Sequence, residues 1–107
     1  MNSQALNMLG LCARARKLVT GEKAVVQAIR AGCPLAILDG GVAKNGEKAV
    51  SQACLTHGAV LLRAEPGQLG RAIGMPGRMA AAVTDAGMAA RIIQLCQPPG
   101  DMRSPEE

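Results

Sequence analysis

Two short apolar runs, Leu35-Ala36-Ile37-Leu38 and Ala59-Val60-Leu61-Leu62-Arg63, limit the choice of fold more than any other feature of this 107-residue chain. Each is too short for a core helix and lacks the alternation of a half-wet sheet, so each suits a strand covered on both faces. Helical stripes surround them. Leu6, Leu9, Cys12 and Ala13 share one face over residues 3–16, and Val25, Ala28 and Ile29 share one over 22–31, where Gly32 is the stop. Val50, Ala53, Cys54 and His57 stripe a third helix before Gly58. Pro66 at a first helical position opens a short helix with Leu69, Ala72 and Ile73 that Gly74 ends, and Met88, Ile92, Leu95 and Cys96 stripe a last one. Leu18-Val19 reads as a very short strand. Residues 79–84 are ambiguous, since alanine favours helix, but the glycine-rich entry and an N-cap at Asp85 turn the reading to a strand. Strands alternating with helices predict an α/β sandwich with helices on both faces of a small sheet. One domain is expected over residues 1–97, followed by a polar, proline-rich and disordered tail over 98–107.

The chain contains no Phe, Tyr or Trp, so its 49% of hydrophobic residues must build a core from Ala, Val, Leu, Ile, Met and Cys. The same absence excludes functions. Single-strand binders stack bases on aromatic platforms, so an RRM-type sheet reader or a typical OB-fold is not expected. Formal net charge is +4. One arginine and three acids lie after Cys96, which leaves 11 basic and 5 acidic residues, or +6, on the body. That balance points to a polyanionic partner. No apolar run approaches the roughly 20 residues of a membrane span, and no basic region precedes a long apolar stretch at the N-terminus, so neither membrane nor leader is expected. Cys12, Cys33, Cys54 and Cys96 are scattered without a C-x-x-C couple, and His57 is the only histidine. They read as small core hydrophobes in a reduced cytoplasm, with no metal and no cofactor.

Catalytic readings fare poorly. Residues 41–48, GVAKNGEK, nearly spell the phosphate loop G-x-x-x-x-G-K-S/T, but Glu47 stands in the lysine's place and Lys48 comes one residue late. A one-residue shift turns a side chain about 100° around a helix, away from the phosphates. His57 on an apolar stripe near a helix C-terminus reads as structural. Glu22, Asp39, Glu47, Glu65 and Asp85 show no spacing that pairs them as acid and base. No enzyme is expected.

Binding residues stand out in two places. Thr20-Gly21-Glu22-Lys23 brings a chain turn, free amide donors and a cation to one helix end, where the dipole already favours an anion. Gln27 lies one turn further on with a donor and an acceptor suited to a base edge, and Arg30 lies near that face. In residues 69–79, LGRAIGMPGRM, Arg71 and Arg78 bracket a loop with Met75 and Pro76 at its tip, apolar groups beside cations.

Together, residues 8–32 (MLGLCARARKLVTGEKAVVQAIRAG) and 69–89 (LGRAIGMPGRMAAAVTDAGMA) resemble the kink-turn RNA-binding ribosomal-protein family. Its namesake is the archaeal large-subunit protein L-seven-Ae, and the likeness is nearest to its small bacterial YlxQ-type members. The resemblance covers roughly residues 5–96. It implies a three-layer α-β-α sandwich around a four-stranded mixed sheet. By position it assigns Gly21, Glu22, Lys23, Ala24 and Gln27 to a helix site and Met75, Pro76, Gly77, Arg78 and Met79 to a loop that closes over bulged nucleotides. Lys17 and Lys44, with Arg30 and Arg71, are further phosphate contacts. The family's helix motif is G-T-N-E-x-x-K, and its last three specified places hold Lys23, Ala24 and Gln27 here. Losing the Glu removes an acceptor for base amino groups, about 1–3 kcal/mol of discrimination per good bidentate contact. Gly41 also stands where the family often has an acid.

The function expected is therefore non-catalytic binding of structured RNA, kink-turn-like or ribosomal, by a cytoplasmic monomer associated with the ribosome or a translation factor. The alternative is a protein-interaction module that kept the fold and lost the RNA.

Overall fold

The strands that the periodicity predicts do pair, in a sheet whose order the residues do not reveal. The computed structural model describes residues 1–96, so the tail expected at 98–107 lies outside the described residues. The elements are α1 (Ser3–Arg14), β1 (Leu18–Thr20), α2 (Glu22–Arg30), β2 (Leu35–Asp39), α3 (Lys44–His57), β3 (Val60–Ala64), α4 (Gln68–Ile73), β4 (Ala80–Val83) and α5 (Ala86–Cys96). The sheet order is β1-β4-β2-β3. β2 runs parallel to β3, and β4 is antiparallel to both β1 and β2, which makes a four-stranded mixed sheet.

All residues of β2 and β4 are buried, because these strands occupy the middle of the sheet and both faces are covered. Alternate residues face opposite ways. Leu35, Ile37, Ala81 and Val83 join Leu9 and Cys12 of α1, Leu69 and Ile73 of α4 and Ile92 of α5. Ala36, Leu38, Ala80 and Ala82 join Val25 and Ile29 of α2 with Val50 and Cys54 of α3. The result is a three-layer α-β-α sandwich, with α1, α4 and α5 on one face and α2 and α3 on the other. Asp85 caps α5, accepting from the Met88 N–H at 2.8 Å.

Several expectations need correction. The 59–63 run is not covered on both faces: β3 is an edge strand, with Val60 and Arg63 exposed, and Ala59 precedes it. The glycines and Asn45 of residues 39–46 (DGGVAKNG) predict a loop, but α3 already begins within them, at Lys44, where Gly46 packs against Glu22 of α2. α4 begins two residues after Pro66, which lies in a turn with Gly67 in the left-handed region as the N-cap. α1 ends at Arg14, and Arg16 turns the chain with φ 59°. His57 is exposed and not part of the core. Cys12 and Cys54 are buried and Cys33 and Cys96 half-buried, all as free thiols. Burial pushes the Cys12 and Cys54 thiols up, which keeps them protonated and inert.

Asp39 is the one charged side chain buried among the described residues. Its carboxylate accepts from the N–H groups of Gly41 at 2.9 Å, Gly67 at 3.0 Å and Leu69 at 3.1 Å. Burial alone would raise its pKa, but these backbone donors outweigh it and hold the carboxyl below the ordinary range. One side chain thus joins the end of β2, the next loop and the start of α4.

Candidate functional site

Gly21 ends β1 and caps α2 within a single residue. Its φ of 94° lies where residues with a Cβ are strained. Its N–H donates to the Ala80 carbonyl at 3.0 Å, which ties the start of α2 to the start of β4. The loop carrying Met75, Pro76 and Gly77 arrives at the same place. There the Arg78 N–H donates to the Met75 carbonyl at 3.2 Å, and the Met79 carbonyl accepts from the Asp39 N–H at 2.8 Å. Arg78 reaches across: a Cβ built on Gly21 would lie 3.7 Å from its Nη1. The two stretches singled out by sequence, far apart along the chain, therefore meet.

Between them is an open cleft of about 270 Å³. Gly21 and Glu22 form one wall, and Gly77, Arg78 and Met79 form another. The third wall, Val42, Ala43 and Gly46, comes from the β2–α3 loop and the start of α3.

Two helices open into this cleft without a side-chain cap, at Gly21 and at Ala43. Their ladders begin only with Val25 N–H to the Gly21 carbonyl and Glu47 N–H to the Ala43 carbonyl, both 2.9 Å. The earlier amides of each first turn lack a ladder partner, so two positive dipole ends converge. Arg78 lines the cleft and is exposed, and the exposed Lys23 and Lys44 directly follow the lining residues Glu22 and Ala43. None of them is paired with a described carboxylate; the ion pair found there, Arg63–Glu47 at 2.6 Å, lies on the β3 edge. Glu22 is turned towards α3, where a Cβ on Gly46 would come within 2.6 Å of its Oε2. Such a corner can hold phosphate by amides and ammonium groups, with Met75 exposed beside it for apolar contact.

The remaining residues are placed unevenly. Ala24 is half-buried in the first turn of α2, and Gln27 is exposed one turn beyond Lys23. Pro76 is exposed at the loop tip. Lys17 sits at the other end of β1, its carbonyl accepting from the Thr84 N–H at 2.9 Å. Arg71 folds back towards Gly67 and lines a separate hollow with Leu6 and Asn7. Arg30 is two turns along α2, roughly 10 Å from Lys23. Sequence reasoning missed Val42, Ala43 and Gly46, which have no polar side chain to mark them. The signal available was negative: no Ser, Thr, Asp or Asn stands at position 43 to cap the helix. Among the described residues no three His, Cys, Asp or Glu side chains gather as a metal-holding group, and no helix is long and apolar enough to cross a membrane.

No family model matches the chain. It is 39% identical over 90 residues to the RNA-binding protein YlxQ of Bacillus subtilis (strain 168), covering 82% of this chain and 90% of the relative. The chain belongs to the YlxQ family. A solved structure of a protein with unknown function from Bacillus halodurans C is 34% identical to this chain with a TM-score of 0.82, over 88% of this chain and 97% of that one. The Giardia lamblia 15.5kD RNA binding protein shares this chain's fold at a TM-score of 0.70 and 19% identity, with 89% of each chain covered.

Proposed function

We propose that this protein binds a sharply bent, kink-turn-like RNA in the cleft between the start of α2 and the loop before β4, without catalysing a reaction on it. One observation carries the reading: Arg78 lies against Gly21, so the uncapped start of α2 and residues 77–79 of the loop before β4 line the same open cleft. The name of the B. subtilis relative and the +6 body support it. Lys23 and the amides at residues 22–24 take phosphate oxygens, Gln27 meets a base edge, and Met75 and Met79 pack on bases held under Arg78. Lys44 joins the corner from α3. With Ala24 and Gln27 in place of the family's Glu and Lys, discrimination among bases is weaker and phosphate contact a larger share. The RNA is ribosomal or otherwise translation-linked, and the protein acts as a monomer in the cytoplasm, associated with the ribosome or a translation factor.

Binding to a kink-turn duplex and to a straight duplex of equal length, measured across a salt series, tests this reading. The kink-turn is expected to bind more tightly at every salt concentration, and Lys23→Ala should reduce the salt slope by about one unit. Equal affinity for both duplexes overturns kink recognition. The changes at Ala24 and Gln27 favour the alternative, a protein-interaction module without RNA. No binding to either duplex, together with purified protein free of absorbance at 260 nm, would overturn RNA binding and favour that alternative.

A further inference from the structure

The cationic surface does not stop at the cleft. α2 and α3 lie side by side and run the same way, since Glu22 meets Gly46 at their starts and Arg30 shares a groove with His57 at their ends. This groove, about 290 Å³, is lined by Val26 and Arg30 of α2 and by Gln52, Thr56 and His57 of α3 among others. Lys23 is three residues before Val26 and Lys48 four before Gln52, so both stand one turn nearer the cleft on the same side of their helices. The only acids on these helices are Glu22 and Glu47, both in the first turn. Glu22 is turned onto Gly46, and Glu47 is paired with Arg63 of β3. Beyond those starts, the α2–α3 face holds cations, an amide, a hydroxyl and an imidazole, and no carboxylate.

We infer that this groove is a second RNA contact, holding the sugar-phosphate backbone of a stem that leaves the cleft. The inference rests on the cleft being the primary RNA site. Charge and donor chemistry choose the occupant. Arg30 and Lys48 neutralise phosphates, Gln52 and Thr56 donate to phosphate or ribose oxygens, and His57 has a ring N–H to donate in any protonation state. Length agrees as well. Gly46 to His57 spans about 16 Å of helix, long enough to follow several consecutive phosphates of one strand of an A-form stem. Such a contact adds affinity and salt dependence and little sequence preference.

The test compares a kink-turn RNA trimmed close to the bend with RNAs whose stems are extended, one at a time, by five base pairs. Wild-type protein should bind one extended RNA at least fivefold more tightly than the trimmed one at low salt, with a steeper salt slope. Lys48→Gln and the double variant Lys48→Gln/His57→Gln, with folding verified by circular dichroism, should remove that gain and leave the trimmed RNA's affinity within twofold. Equal affinity of the wild type for all the RNAs overturns the groove contact and leaves the cleft reading intact. A gain that survives both variants also overturns it. Failure to bind any of the RNAs overturns the cleft reading and the groove with it. A protein that competes for the groove while stem length has no effect assigns the groove to that partner and overturns the RNA contact.

Discussion

Asp39 is a residue whose chemistry serves the frame and not the ligand. Its buried carboxylate satisfies three backbone donors, and no other side chain at that place reaches all of them. Asp39→Ala leaves the Gly41, Gly67 and Leu69 amides without an acceptor. Leu69 is buried and its amide cannot turn to water, whereas Gly41 and Gly67 are exposed, so urea unfolding followed by circular dichroism should register a loss of about 1–3 kcal/mol, the cost of one buried orphaned donor. Asp39→Asn keeps one carbonyl oxygen and should lose less. The sign of the pH dependence follows from the lowered pKa. The carboxylate's contribution is complete above the unfolded-state value near ~3.9 and is lost as pH falls through the folded-state value. Acid unfolding of the wild type should therefore begin below that range, and Asp39→Asn should lack this component.

Between elements, two glycines mark contacts of different hardness. A Cβ on Gly70 of α4 would lie 2.9 Å from the Met75 carbonyl oxygen and 3.1 Å from Pro76 Cα, both backbone atoms of the loop that forms a wall of the cleft. A Cβ on Gly46 of α3 would meet chiefly the mobile end of Glu22. Gly70→Ala should cost about 1–3 kcal/mol by overpacking and weaken kink-turn binding by displacing residues 75–77. Gly46→Ala should destabilise less, because a carboxylate can swing aside. Thermal melts and binding isotherms of the two variants decide the point. The same elements show how far the sequence could be read. Helical stripes and the strand at 80–83 were legible from spacing and flanking glycines. The edge position of β3 was not, because it depends on β4 inserting between β1 and β2, a pairing with no local signal. The start of α3 was hidden by poor helix formers at Asn45 and Gly46, overridden by packing against α2. The late start of α4 was hidden too, since Asp39 supplies acceptors for the turn at Gly67. At the cleft, Lys23 and the 75–79 loop were readable from charge and turn chemistry. The wall at 42, 43 and 46 contributes backbone alone and leaves no mark in the composition.

Across the whole molecule, the cleft exists only while the sandwich is assembled, since Gly21 and Arg78 are joined through β1 and β4 and not by nearby sequence. RNA binding and secondary structure should therefore vanish together in urea, at one midpoint by both probes. Kink-turn RNA held at 100 times its Kd should raise the unfolding free energy by about 2.7 kcal/mol; separate midpoints, or no shift with RNA, would contradict this coupling. The strand beneath the cleft bears mainly methyl groups, Ala80, Ala81 and Ala82, so helices on both faces rest close to its backbone. Added bulk there has nowhere to go except outward, prising the layers apart and dragging the arginine off its glycine. Substitution is thereby confined to the exterior, where a new side chain alters the rim and leaves the frame beneath it as it was.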